Sequence, residues 1–301
     1  MRAEYLDAKP GDRGEYRAHF DSLAEFVEHV NTSPAAPGWG GRRQSRATDH
    51  NRRKQGTLDW SEALRLANSG WTGADERIAA LSGKLTETVA SLIERPAWRL
   101  DVSGDALDVG LYLSGEPECW RTLEWQISEG FGRRIFRIIV PLGGTAVVTP
   151  NDFTWAGAAA VAAVECIERA GHGAEVWGYN TGTTWGGPVL SARILLKPAE
   201  YPLDAPRLAF VCANVAFHRR LMFAFRESAP EAYSRSFVGT YGRTEYPYLT
   251  ESGEPNDITL PTPIAVNEYA RAGGAQEGLM RWLIANLSRH GIIRDEAAPA
   301  A

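Results

Sequence analysis

Six histidines, His19, His29, His50, His172, His218 and His290, are the side chains of this chain best placed by their ordinary pKa to move protons near neutrality. His19 and His29 fall on one short amphipathic segment and His50 in a basic run. His172 and His290 stand at expected helix ends, where a cation is favoured, and His218 is followed by Arg219 and Arg220 inside a helical run. Each position thus has a structural explanation as well as a catalytic one. Glu165 and Glu168 lie one helical turn apart, a spacing that serves a solvated face or an acid/base pair. No G-x-S-x-G elbow, H-E-x-x-H pair or catalytic cysteine signature accompanies them. Cys119, Cys166 and Cys212 are far apart, without metal-ligand spacing, and read as small buried hydrophobes in a reducing compartment. The expectation is a protein that is not an enzyme, with no cofactor and no metal. A site assembled from distant residues stays open as an alternative.

Charge offers a second kind of chemistry. The run RRQSRATDHNRRK holds Arg42, Arg43, Arg46, Arg52, Arg53 and Lys54 against the single acid Asp49, although the whole chain is acidic at −5. Such a run can displace counterions from a phosphate backbone, so RNA or DNA is a candidate partner. It also suits a solvated loop, because aromatic rings for base stacking are not interleaved with it.

Aromatic residues offer a third. The stretch of roughly thirty residues after Ser228 carries Tyr233, Phe237, Tyr241, Tyr246 and Tyr248 among Ser, Gly, Thr and Arg, and the loop TGTTWGGP adds Trp185. Tyrosine gives large contact area at low entropic cost, which suits a protein-binding loop. The same rings could instead fold back over their own domain. Trp39, Trp60, Trp71 and Trp98 are expected to pack within the fold.

The elements that must position these residues fall into two regions. Phe20 to Val30 reads as a short helix capped by Asp21 or Ser22. Asp59 with Glu62 makes a capping box for a second helix that stops at Gly70, and a third runs from about Asp75 to Glu94. After Trp98 the pattern turns to alternation typical of a hairpin. IFRIIVPL follows as a buried strand, and Thr149-Pro150-Asn151-Asp152 opens an alanine-rich helix. AEVWGYN and LSARILLK read as strands. A long helix is expected from Asp204 or Pro206 through Phe225, then a strand at ITLPTP and a last helix from about Ala275 to His290. Strands alternating with helices imply an α/β open sheet with helices on both faces.

The order from Arg134 onward resembles the von Willebrand factor A type of domain, a Rossmann-like α/β fold whose second and third strands form an antiparallel edge hairpin. That family carries D-x-S-x-S after its first strand, whose carboxylate and hydroxyls help hold a divalent cation. Here P-L-G-G-T places Pro141, Gly143 and Thr145 at those positions, so the resemblance implies a degenerate metal site. Asp152 lies nearby, at a place where a helix dipole alone favours an acid. GLYLSGEPECW, GAAAVAAVECIERAGHGAEVW and TLDWSEALRLANSGW further resemble a family of uncharacterised phage and actinobacterial proteins, over about residues 57 to 290. That resemblance implies a fold and a viral or mobile-element setting, and no activity.

The expected organisation is a helical arm over 1–98 with a basic loop at 42–54, an α/β domain over 99–295 and a disordered tail over 296–301. No stretch approaches the roughly 18 apolar residues of a membrane helix, so no membrane partner and a cytoplasmic setting, of a host if viral, are expected. The leading function is a protein-interaction or assembly module, acting on another protein or on itself. The alternative is nucleic-acid binding through the basic loop.

Overall fold

The computed structural model describes residues 1–6, 14–40, 43–50, 52, 55–72, 75–90, 97–124, 134–144, 147–184, 187–238, 243–244 and 256–293. The strands are β1 Arg2–Leu6, β2 Glu15–Phe20, β3 Ala97–Asp101, β4 Ala106–Leu107, β5 Trp120–Glu124, β6 Ile135–Pro141, β7 Gly173–Thr183, β8 Val189–Lys197, β9 Arg243–Thr244 and β10 Asp257–Thr259. The helices are α1 Leu23–Thr32, α2 Trp60–Ser69, α3 Asp75–Ala90, α4 Val109–Leu113, α5 Pro150–Arg169, α6 Ala205–Ala213, α7 Met222–Ser228, α8 Glu231–Ser234, α9 Pro263–Arg271 and α10 Ala275–Arg289.

The main sheet has the order β1-β2-β8-β7-β6-β10, with β9 beside β7. β10, β6 and β7 run parallel, β7 and β8 form an antiparallel hairpin, and β2 adds parallel to β8. The molecule is therefore α/β, with a mixed open sheet flanked by helices. β6 is buried along nearly its whole length, as a central parallel strand must be. β2 alternates, with Tyr16, Ala18 and Phe20 inside.

Two expectations about the architecture are corrected here. Residues 1–98 do not form a separate helical arm. β1 and β2 extend the main sheet beyond β8, which is consequently not its edge. Phe20, Phe26, Leu66 and Leu85 also share one core with Phe136, Ile138 and Phe225. Phe20 meets Phe26 edge-on at 5.1 Å between ring centroids, and Phe26 lies 5.7 Å from Phe217. The long helix from 204 to 225 is also broken. Asn214 leaves the helical region with ψ 126°, its side-chain oxygen accepts from Ala216 N at 2.8 Å, and the chain bends by 63°. It then passes through a five-residue π segment, Phe217–Leu221, before α7.

Other local signals act as their chemistry dictates. Ser22 caps α1, and Asp59 caps α2 while Glu62 reaches back to Leu58 N. Thr149 and Asp152 make a capping box on α5. α5 is rich in small residues so that α6 can lie close: a Cβ on Gly157 would come within 2.7 Å of the Ala213 Cβ. α9 fills the stretch between β10 and α10, where the sequence alone predicted no helix.

Residues 97–124 stand apart from this core. β3, β5 and β4 make a separate three-stranded sheet with α4 in its connection.

No single helix among the described residues is long and apolar enough to cross a membrane. The bent pair α6 and 217–228 passes by length and composition, but its side chains are core.

Candidate interaction surface

The loop after β6 is where the resemblance locates a cation. Leu142 is fully buried there, and its N–H donates to Tyr179 O at 2.6 Å. The Asn180 amide donates to Leu142 O, and the Asn180 side-chain oxygen accepts from Arg226 Nη2 at 3.0 Å. Phe153 packs into the same corner, 2.8 Å from where a Cβ on Gly144 would lie, and His218 stacks on it at 4.4 Å. Pro141 and Gly143 offer no side-chain oxygen, and Thr145 lies outside the described residues. The place a cation would take is thus packed with apolar side chains, one hydrogen-bonded residue from a buried guanidinium, which repels a second positive charge. Among the described residues no group of three or more His, Cys, Asp or Glu could hold a metal ion. Asp152 spends its Oδ2 on Thr149 N and Oγ1, both at 2.7 Å, and on Asn267 Nδ2 at 2.9 Å. It caps α5 and ties it to α9.

The acid/base candidates are scattered. His19 pairs with Asp21 at 3.0 Å, His29 with Ser33 Oγ at 3.2 Å, and His290 packs edge-on against Phe136. Burial lowers the pKa of His19, His29 and His172, and holds His218 down at about 3, so all four are neutral at pH 7. Burial pushes the Cys166 thiol up to about 12 and raises that of Cys212, so neither is a ready nucleophile. Glu165 accepts from Thr86 Oγ1 at 3.0 Å, and Glu168 pairs with Lys197 at 2.7 Å. The two carboxylates serve different helix contacts.

The basic segment is built into the fold rather than draped over it. Arg220, fully buried in the π segment, donates from Nη1 to Ser45 O and Ala47 O at 3.0 and 2.9 Å. Its Nη2 donates to Thr57 O and Leu58 O at 2.8 and 3.1 Å. Buried Glu227, two turns further on, accepts from both Ser45 N and Ser45 Oγ. Two opposite charges from one helical stretch therefore clamp the segment from 45 to 58. Arg43 donates to Ser33 O at 2.9 Å. Arg46 donates to Asn31 O at 2.9 Å and lies 4.9 Å over the Trp60 ring. Arg52 is exposed, held at φ 52°, and pairs loosely with Glu62 at 3.4 Å. Arg42, Arg53 and Lys54 lie outside the described residues.

Tyr233 is half-buried against the core, 5.8 Å from the Tyr16 ring, and Phe237 is fully buried. Both fold back onto the domain, where the sequence left a binding surface open. Trp185, Tyr241, Tyr246 and Tyr248, and the tail 296–301, lie outside the described residues. Trp39 is buried, and Trp60 and Trp71 pack partly against the core as expected. Trp98 does not: it is 57% exposed.

That tryptophan leads to the feature sequence reasoning missed. In residues 98–122 only Cys119 is buried. Trp98 and Leu100 share one face of β3, and Val109, Tyr112 and Leu113 share one face of α4 by their i, i+3, i+4 spacing. All five are exposed, Leu113 by 78%, and exposed Val102 follows β3. The unit keeps its shape through polar bonds. Asp108 caps α4 by accepting from Gly110 N and Leu111 N and pairs with Arg121 at 2.6 Å. Asp108 N donates to Cys119 O at 2.7 Å, and Thr122 Oγ1 to Ser103 O at 2.9 Å. With no element over them among the described residues, these apolar side chains stand in water, a cost that contact with another surface removes.

A cleft of about 390 Å³ lies elsewhere, lined by Leu23, Ala67, Pro198, Tyr201, Leu203 and Arg207. Lys197, at its wall, pairs in register with Val176 near the start of β7, so the cleft opens at the amino end of the parallel strands. Ligands of open α/β sheets generally bind at the other end.

No curated protein and no solved structure matches the chain. The family model described as Domain of unknown function (DUF7192) matches residues 6–275, and the chain belongs to that family.

Proposed function

We propose that this chain is a non-catalytic protein-interaction module whose docking surface is the unit 97–124, carried on a von Willebrand factor A-like sheet with a degenerate metal site. The observation that carries the reading is the exposure of Trp98, Leu100, Val109, Tyr112 and Leu113 on one small, polar-stapled unit. Exposed apolar side chains concentrated in this way mark interfaces. The antiparallel β7–β8 hairpin beside parallel β6 supports the von Willebrand factor A-like part, with β2 and β1 as an addition beyond it. Nucleic-acid binding by the basic segment is the weaker reading, since Arg43 and Arg46 are turned to main-chain carbonyls.

Val109, Tyr112 and Leu113 replaced together by Ser should leave the melting temperature within about 2 °C of wild type, because exposed positions contribute little to stability. The same variant should shift the tagged chain in native extracts from a complex to its own 33.0 kDa. A variant that still migrates in the complex sinks the reading.

A further inference from the structure

The core takes alternate residues of the main strands, among them Ala18, Ala192, Val176 and Ile138, so the residues between them stand on the sheet's second face. Arginines from β1, β2, β6 and β8 lie there. Arg2 meets Asp21 at 2.7 Å, Arg17 meets Glu15 at 2.9 Å, and Arg137 holds Asp257 through two bonds of 2.7 and 2.6 Å.

Arg193 of β8 differs. In register it stands between His19 of β2 and Tyr179 of β7, and its guanidinium carbon lies 4.0 Å from the centre of the Trp177 ring and 5.5 Å from that of Tyr179. No carboxylate among the described residues pairs with it, and its Nε is buried without a hydrogen bond. Glu175, the next side chain along that face of β7, accepts from Trp177 Nε1 instead. A half-buried arginine that is unmatched where three neighbours are matched keeps an unused fork of N–H donors.

We propose that Arg193, seated on Trp177, binds a monovalent carboxylate on the second face of the main sheet. This site neither uses nor requires the 97–124 unit. The planar fork fits two coplanar oxygens, and contact with the indole holds it in place in advance, so little side-chain entropy is lost on binding. One charge is what the surroundings allow. His19, held neutral by burial and by the field of Arg193, adds no second cation, while Glu175 and the Asp21 beside His19 repel a dianion such as phosphate or sulfate.

The test is fluorine NMR of trifluoroacetate, a small monovalent carboxylate, with the purified full chain. The wild type should broaden the signal saturably, with a dissociation constant on the order of 1 mM, and acetate should reverse the effect. Arg193→Lys keeps the charge but loses the fork and should weaken binding about tenfold, and Arg193→Gln should abolish it. Arg2→Gln removes an arginine already matched to Asp21 and should leave binding unchanged. Glu175→Gln can still accept from Trp177 and should tighten binding about threefold, a gain that no loss of folding imitates.

An acetylated dipeptide with a free terminal carboxylate that displaces trifluoroacetate better than acetate does would assign the ligand to a peptide chain end. Equal or poorer displacement would assign it to a small free acid, and both outcomes uphold the site. Three results would overturn it: no saturable broadening, equal weakening by Arg2→Gln and Arg193→Gln, as an adventitious surface charge gives, or sulfate displacing the probe more strongly than acetate.

Discussion

Arg220→Ala should lower stability by about 3–5 kcal/mol, the range for removing one buried charged partner, and the melting temperature by on the order of 10 °C. The reason is geometric. One guanidinium satisfies the carbonyls of Ser45, Ala47, Thr57 and Leu58, which come from both ends of the basic segment. Removing it orphans four acceptors, two of them in bonds buried from water, and an unmet buried acceptor costs more than a made bond gains. Lysine cannot stand in, because its single ammonium lacks the planar fork that reaches all four. Limited trypsin digestion checks the local half of the claim: cleavage in the 43–54 stretch should accelerate in the variant before the core is cut. A variant that melts as wild type and resists trypsin equally would show that the clamp does not hold the segment.

Acid should destabilise the protein through His218, and His218→Leu should blunt that loss. The ring is packed between Phe153 and Phe217, and the Leu142 main chain offers its nitrogens only a weak polar contact. Burial is the main reason its pKa falls to about 3, the nearby Leu142 main chain opposing only part of the shift. The folded state therefore holds the neutral ring where the unfolded chain takes up a proton. This contribution is fully present above pH 6.5, is lost progressively as pH falls below it, and is exhausted near pH 3. Between pH 6.5 and pH 4 the loss amounts to about 3 kcal/mol, at about 1.4 kcal/mol per pH unit. Urea unfolding across that range measures it as the difference between wild type and variant, which cancels the carboxylates common to both. Parallel curves for the two proteins would contradict the assignment.

Sequence made some of this legible and hid the rest for physical reasons. Asp59-x-x-Glu62 and Thr149-Pro150 announced their helices because capping is local chemistry. The β6 strand announced itself because a strand buried on both faces needs a nearly continuous apolar run, here interrupted only by Arg137. Glu15–Phe20 did not, since six residues with four polar or small side chains become a strand only through the β8 edge they join. The break at Asn214 was masked by an apolar pattern that continues across it. Arg220 sits in His-Arg-Arg inside a helical run, where nothing local shows that its side chain is buried and its partners lie more than 160 residues away in sequence. The exposed apolar side chains of 97–124 were hidden most completely. Leu-Tyr-Leu and Trp-Arg-Leu carry the composition of core, yet Tyr112, Leu113, Trp98 and Leu100 are exposed, with no covering element among the described residues.

The loop after β6 illustrates the converse. That P-L-G-G-T carries no carboxylate is plain in the sequence, yet Arg226, which adds a buried positive charge to that corner, comes from a helix more than 80 residues away in sequence.

The most direct test of the docking reading is photo-crosslinking from inside the unit. A benzophenone side chain placed at Tyr112, 59% exposed, should yield discrete adducts with a protein chain when the tagged protein is irradiated in its native cell. The same group at Tyr201, 62% exposed in the turn after β8 and beyond the 97–124 unit in sequence, should yield none. Adducts at Tyr112 alone are the predicted result. No adduct at Tyr112, or the same products from both positions, would contradict the account.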